Sequence, residues 1–121
     1  MTKKDETQSF LPLTPAMFHI LLALADGEKH GYAILKEVAR RTGDRVRLSA
    51  GTLYGNLSRL EGAGLIAESS RRPEIALDDE RRRYYRLTEF GRGVAVAEAE
   101  RMEEVVLQAR AKKLFRKPRL A

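Results

Sequence analysis

The sequence has no cysteine and no tryptophan, and only two histidines, His19 and His30. Without cysteine there are no disulfides, no thiolate nucleophile and no cysteine-held metal, and two histidines cannot build a histidine-rich metal site. No apolar run approaches the roughly 18 to 20 residues of a membrane span, and "MTKKDETQSF" lacks the apolar core of a signal peptide. A phosphate loop and a histidine paired with a carboxylate at a catalytic spacing are missing too. Enzymatic chemistry, a metal and a cofactor are therefore not expected, and the composition suits the reducing cytoplasm.

What the chain does have is charge. Its 121 residues carry 23 Lys and Arg against 17 Asp and Glu, for a formal net charge of +6. The stretch "RAKKLFRKPR" holds Arg110, Lys112, Lys113, Arg116, Lys117 and Arg119 with no acid, so this run alone accounts for the excess and reads as a solvated basic tail. The remainder is near neutral. Any nucleic-acid reading has to rest on where cations gather inside the folded part.

One domain with an appendage fits this length. Thr14 followed by Pro15 is a helix start, and "AMFHILLALAD" continues it with Phe18, Ile20, Leu21, Leu22, Leu24 and Ala25 apolar almost all round, as in a central core helix. "GEKHG" breaks the pattern, and "YAILKEVARRTG" resumes helical spacing through Tyr32, Ile34, Leu35 and Val38 until Gly43. His30 stands where it can cap this second helix or touch a phosphate. His19 reads as a satisfied or interface residue of the first. A third helix follows in "LSAGTLYGNLSRLEGAG", with Ser49 as cap and Leu53, Leu57 and Leu60 on one buried edge. Gly51, Gly55 and Gly62 fall on the opposite face beside Thr52, Ser58 and Arg59. Each glycine costs a helix roughly 1 kcal/mol against alanine, so an outward glycine face suggests close backbone approach to a large partner, unless Gly51 and Gly62 only mark the frayed ends.

Beyond it, "LIAESS" and "RYYRLT" read as two strands of a hairpin with a long tip, "RRPEIALDDERR". Alternation turns Tyr85 and Leu87 inward. Thr88 caps a last helix from about Glu89 to Lys113, whose stripe of Ala95, Ala99, Met102, Val105, Val106 and Ala109 is too long for a small domain to cover, which implies a second chain. The division is a flexible segment 1–10, a domain 11–88, a dimerisation helix 89–113 and a basic tail 114–121. The fold class is mainly α with a small β-hairpin, a winged helix-turn-helix pattern.

Three segments in this order, "LLALADGEKHGYAILKEV", "SAGTLYGNLSRLEGAGLI" and "RRRYYRLTEFG", make the chain resemble the PadR family of transcriptional regulators over about Leu11 to Gly91. It departs from the family at Gly55, where members commonly carry proline, and at Glu80, where a glycine is common. The resemblance implies a homodimeric repressor of an inverted-repeat operator on double-stranded DNA, with the third helix in the major groove and the wing along the backbone or minor groove. Expected DNA contacts are Ser49, Thr52, Tyr54, Asn56, Ser58 and Arg59 on or beside that helix, and Arg81, Arg82 and Arg83 on the wing, beside the acids Glu74, Asp78, Asp79 and Glu80. Tyr54 as a core ring, Arg59 as a partner of Glu61 and the arginine run as a solubilising cluster are the plainer alternatives. Some members bind flat drugs or phenolic acids between the last helices, often through tryptophan; here Met102 stands in that region and reads as packing, so a tight planar site is not expected and an effector is left open. A winged-helix module that binds another protein is the alternative function, since fold does not fix function.

Overall fold

The computed structural model describes residues 3–69 and 83–116. Their order is α1 (Lys3–Gln8), α2 (Pro15–Leu24), β1 (Lys29–His30), α3 (Gly31–Arg41), α4 (Ala50–Gly62), β2 (Ile66–Glu68), β3 (Tyr84–Leu87) and α5 (Glu89–Ala111). Each main helix opens on a side-chain cap that satisfies an otherwise orphaned amide: Thr14 accepts from Met17, His30 from Ala33, Ser49 from Thr52 and Thr88 from Gly91.

α2 is the hub, packed against α3, α4, α5 and β3. Ile20, Leu21, Ala23 and Leu24 are buried, whereas Leu22 is 37% exposed, so the helix is less uniformly enclosed than its composition suggests. α3 adds Ile34 and Val38, α4 adds Leu53, Leu57 and Leu60, and Leu65, Ile66, Tyr85 and Val94 close the core. Tyr32 does not join them. It is 56% exposed, because Gly31, Ile34 and Val38 form the inward stripe and Tyr32 lies on another side of the helix.

The sheet has three antiparallel strands in the order β1-β3-β2, one more than the expected hairpin. Lys29 pairs with Tyr85 and His30 with Tyr84, while Ile66, Ala67 and Glu68 pair with Leu87, Arg86 and Tyr85. The His30 ring also meets Tyr84 edge-on at 5.4 Å. Winged helix-turn-helix is thus the architecture, with α3 and α4 as the two helices of the motif. The segment expected to be a flexible leader contains α1, which packs on α5.

α5 divides into two parts. Its first turns are built into the domain: Gly91, Val94 and Glu98 are buried. The Glu98 carboxylate accepts the Leu13 amide at 2.6 Å and a hydrogen bond from Arg101 Nε, tying α5 to the start of α2. The later turns stand clear, with Val105 51%, Val106 41% and Leu107 52% exposed.

His19 is half-buried on α2, and its Nδ1 has no hydrogen-bond partner among the described residues. Burial first, and the Arg41 charge second, hold its pKa below the ordinary histidine value. Folding thus favours neutral His19, so the unfolded chain binds more protons there. That contribution to stability is complete above the unfolded value of about 6.5 and is lost as pH falls through the lowered folded value. Urea unfolding between pH 7.5 and 5 should show falling stability, with a shallower fall in His19→Gln; identical slopes would remove His19 as a cause.

Candidate nucleic-acid interface

α4 owes its two faces to the spacing of its residues. Leu53, Asn56, Leu57 and Leu60 are buried, while Gly51, Thr52, Gly55, Ser58, Arg59 and Gly62 are exposed on the other side. A Cβ added at Gly51, Gly55 or Gly62 would meet nothing within 4 Å. Packing among the described residues therefore gives no reason for three glycines there.

Ser49 Oγ accepts the Thr52 amide at 3.1 Å and lies 2.9 Å from Thr52 Oγ1, to which it donates. That leaves the Thr52 hydroxyl proton free to donate outward. Ser58 and Arg59 are exposed. Asn56 was expected on or beside this outward side and is not: it is 8% exposed, and its Nδ2 donates to the Thr52 carbonyl at 2.8 Å. The reason is helical phase, since residue 56 falls between Leu53 and Leu60 on the buried stripe.

Tyr54 is half-buried and packs against the core. Its ring covers the backbone at Gly31, where a Cβ would come within 2.9 Å of the hydroxyl oxygen. The tyrosine thereby sets the spacing between α4 and the start of α3, which is the plainer of the two roles expected for it.

In the wing, Tyr85 is buried and Leu87 half-buried, facing the core as alternation requires. Burial, followed by the nearby Glu61 charge, pushes the Tyr85 phenol above its usual pKa, so it stays neutral. Arg83 is exposed, with Nε 3.8 Å from Glu68 Oε1 across the β2–β3 pair. Arg86 is also exposed on β3 and was not among the expected contacts, although its alternation with Tyr85 was visible. Arg81, Arg82 and the acids Glu74, Asp78, Asp79 and Glu80 lie outside the described residues.

Of the expected dimer residues, Ala95 packs partly on the core and Ala109 is half-buried, whereas Ala99, Met102, Val105 and Val106 are exposed. α1 and α5 flank a groove of about 890 Å³ lined by Thr7, Gln8, Phe90, Gly93, Val96 and Val105 among others. No helix among the described residues is long and apolar enough to cross a membrane. Nor do the described residues hold a cluster of three or more potential metal ligands.

A two-helix motif with an outward polar second helix, closed by a small sheet, defines the winged-helix class of regulators. Residues 20–97 match the model of the transcriptional regulator PadR-like family, and the chain belongs to that family. It is 38% identical over 87 residues to transcriptional regulator Rv3488 of Mycobacterium tuberculosis, covering 72% of this chain and 75% of that protein. Among solved structures it is similar to a transcriptional regulator of Clostridium thermocellum, with 27% identity, a TM-score of 0.61 and coverage of 93% and 99% of the two chains. RosR of H. salinarum is similar as well, at 28% identity and a TM-score of 0.58, covering 85% of this chain and 98% of that one. The family is one of transcriptional regulators rather than enzymes.

Proposed function

We propose that the chain is a homodimeric, cytoplasmic repressor that binds an inverted-repeat operator, with α4 in the major groove and the wing on the backbone or minor groove. One observation carries the reading: the outward face of α4 combines three glycines, open to the size of a Cβ, with Thr52, Ser58 and Arg59. A backbone bare of side chains lets a helix sit close to a large surface, and the polar groups beside it can address base edges and phosphates. Residues 11–88 are the DNA-binding unit and 89–113 the dimerising one, through Ala95, Ala99, Met102, Val105, Val106 and Ala109. No cofactor is needed. The sequence has no tryptophan, and Phe90 is the aromatic side chain that lines the groove beside α5, so a tight planar effector is not expected.

A mobility-shift titration with the DNA immediately upstream of the chain's own coding sequence, against a random duplex of equal length, tests this. Tighter binding to the upstream duplex supports the proposal, and equal or absent binding to both counts against it. Arg59→Ala should relax base preference at one position per half-site at a cost of roughly 1–3 kcal/mol. Replacing Arg81, Arg82 and Arg83 together should instead weaken operator and random DNA alike and flatten the salt dependence by about 0.9 for each phosphate no longer neutralised.

Gly55→Ala separates the fold from the interface. In the free protein the added methyl meets nothing, so helix propensity should stabilise the chain by about 0.5–1 kcal/mol. At a surface pressed against DNA the same methyl is an obstruction, and operator affinity should fall. A variant that is both more stable and equally tight would show that the glycine face has no role in close approach.

A further inference from the structure

α5 and the residues that follow it are divided by charge. Residues 89–104 hold the acids Glu89, Glu98, Glu100, Glu103 and Glu104 against Arg92 and Arg101, whereas residues 105–119 hold Arg110, Lys112, Lys113, Arg116, Lys117 and Arg119 with no acid. The helix dipole favours acids in the first turn and cations in the last. That accounts for Glu89 and Arg110, and not for Glu100, Glu103 and Glu104 in mid-helix.

Glu89, Glu100 and Glu104 share the lining of the α1–α5 groove with the apolar Val96 and Ala97. All three carboxylates are exposed and have no cationic partner among the described residues. The lining cation, Arg101, is engaged by buried Glu98. Beyond the groove the charge is opposite. Arg110, Lys112, Lys113 and Arg116 are exposed and have no carboxylate partner among the described residues. Between them Leu114 and Phe115 are 76% and 46% exposed. Arg110 lies about 9 Å along the axis beyond Glu104 and about 30 Å beyond Glu89, so the helix holds this run away from the groove of its own chain.

We infer that the segment Arg110–Arg116 of a second copy enters the groove, with Leu114 and Phe115 against Val96 and Ala97 and the cations against Glu100 and Glu104. The inference rests on the homodimer proposed above and names what each chain places on the other. Register supports it. An antiparallel crossing of two α5 helices near Val106, among the exposed Met102, Val105 and Leu107, sets Glu100 opposite Lys112 and brings Phe115 level with Ala97. A parallel crossing would set Lys112 beside Lys112 and Glu104 beside Glu104, which repel.

Sedimentation equilibrium of the full-length protein over a series of salt concentrations tests this. Wild-type dimerisation should weaken as salt rises. Arg110→Glu/Lys112→Glu/Arg116→Glu and Glu100→Lys/Glu104→Lys should each weaken the dimer by about tenfold or more, since each turns attraction into repulsion at two symmetric places. Mixed in equal amounts, the two variants should recover a dimer, because the acidic tail then meets a basic groove and the basic tail an acidic one. The substituted side chains are exposed, and that recovery excludes misfolding. Phe115→Ala should weaken the dimer and leave its salt dependence unchanged. If wild-type protein is monomeric throughout, the dimer reading fails and the inference falls with it. If wild type dimerises and both charge variants dimerise as tightly, with no preference for each other when mixed, the dimer stands and this segment lies elsewhere. Loss of affinity for a random duplex in the first variant, with its dimer intact, would assign the basic run to DNA instead.

Discussion

Gly91→Ala should be the most damaging single methyl in this protein. A Cβ at Gly91 would lie 1.8 Å from the Leu65 carbonyl oxygen and 2.7 Å from its carbon, both backbone atoms. That oxygen cannot simply step aside. It accepts the Thr88 amide at 3.1 Å and, at 3.0 Å, shares the Thr88 hydroxyl proton with the nearer Gly64 carbonyl, and Leu65 itself is 1% exposed. To admit the methyl, the first turn of α5 must lift off the start of β2 and give up both bonds. Overpacking a rigid site costs about 1–3 kcal/mol and sometimes more, and breaking the Thr88 bonds adds to it, so about 3 kcal/mol or more is expected. Against a native stability of about 5–15 kcal/mol this is a large fraction. Gly93→Ala, two residues along the same helix, is the control: its Cβ would be 3.6 Å from Thr7 Cγ2, an ordinary contact. Thermal melting should show a drop of more than about 10 °C for Gly91→Ala and no loss for Gly93→Ala. Equal melting temperatures would mean that the α5–β2 junction yields easily.

The helices were legible in the sequence because their signals are local. Thr14, Ser49 and Thr88 announce their helix starts within three residues, and each does cap there. β1 was not legible for the opposite reason. Lys29 and His30 have no strand pattern of their own and become a strand only by pairing with Tyr85 and Tyr84, more than fifty residues away in the chain. "KKDETQ" likewise has no apolar period, and α1 forms against a helix that the chain has not yet reached at that point.

At the candidate interface, phase decided what could be read. The glycine face of α4 follows from 100° per residue and is where it was expected. Asn56 departs from its expected place because phase outweighs residue type: its amide suits a DNA contact, yet its position between Leu53 and Leu60 turns it inward to the Thr52 carbonyl. Tyr32 lies in the helix its spacing indicates, but that spacing alone does not say which apolar residues face inward, and its angle sets it apart from Ile34 and Val38. Buried Glu98 had no signal at all, since a carboxylate on a helical stripe gives no hint of an amide donor from Leu13, far away in sequence.

A chain ending at Arg101 should remain folded and lose most of its hold on DNA. It keeps every buried residue of α5, Gly91, Val94 and Glu98, and it keeps the Glu98–Arg101 contact that joins this helix to Leu13. It lacks Met102, Val105, Val106 and Leu107, which are 36%, 51%, 41% and 52% exposed and lie outside the core cluster. Removing them therefore costs the monomer little, whereas a row of apolar side chains along a long helix is what a second copy would bury. If α5 joins two DNA-binding units, losing it turns one two-handed binding event into two independent ones, and linked binding exceeds single-site affinity by about 10²–10⁴-fold. The truncated chain should melt near the temperature of the full-length protein, sediment as a monomer at micromolar concentration, and bind the upstream duplex at least about 100-fold more weakly. Full-length protein that is itself monomeric under those conditions would end the dimer proposal, and a truncated chain that stays dimeric would move the interface toward α1 and the groove it shares with the first turns of α5.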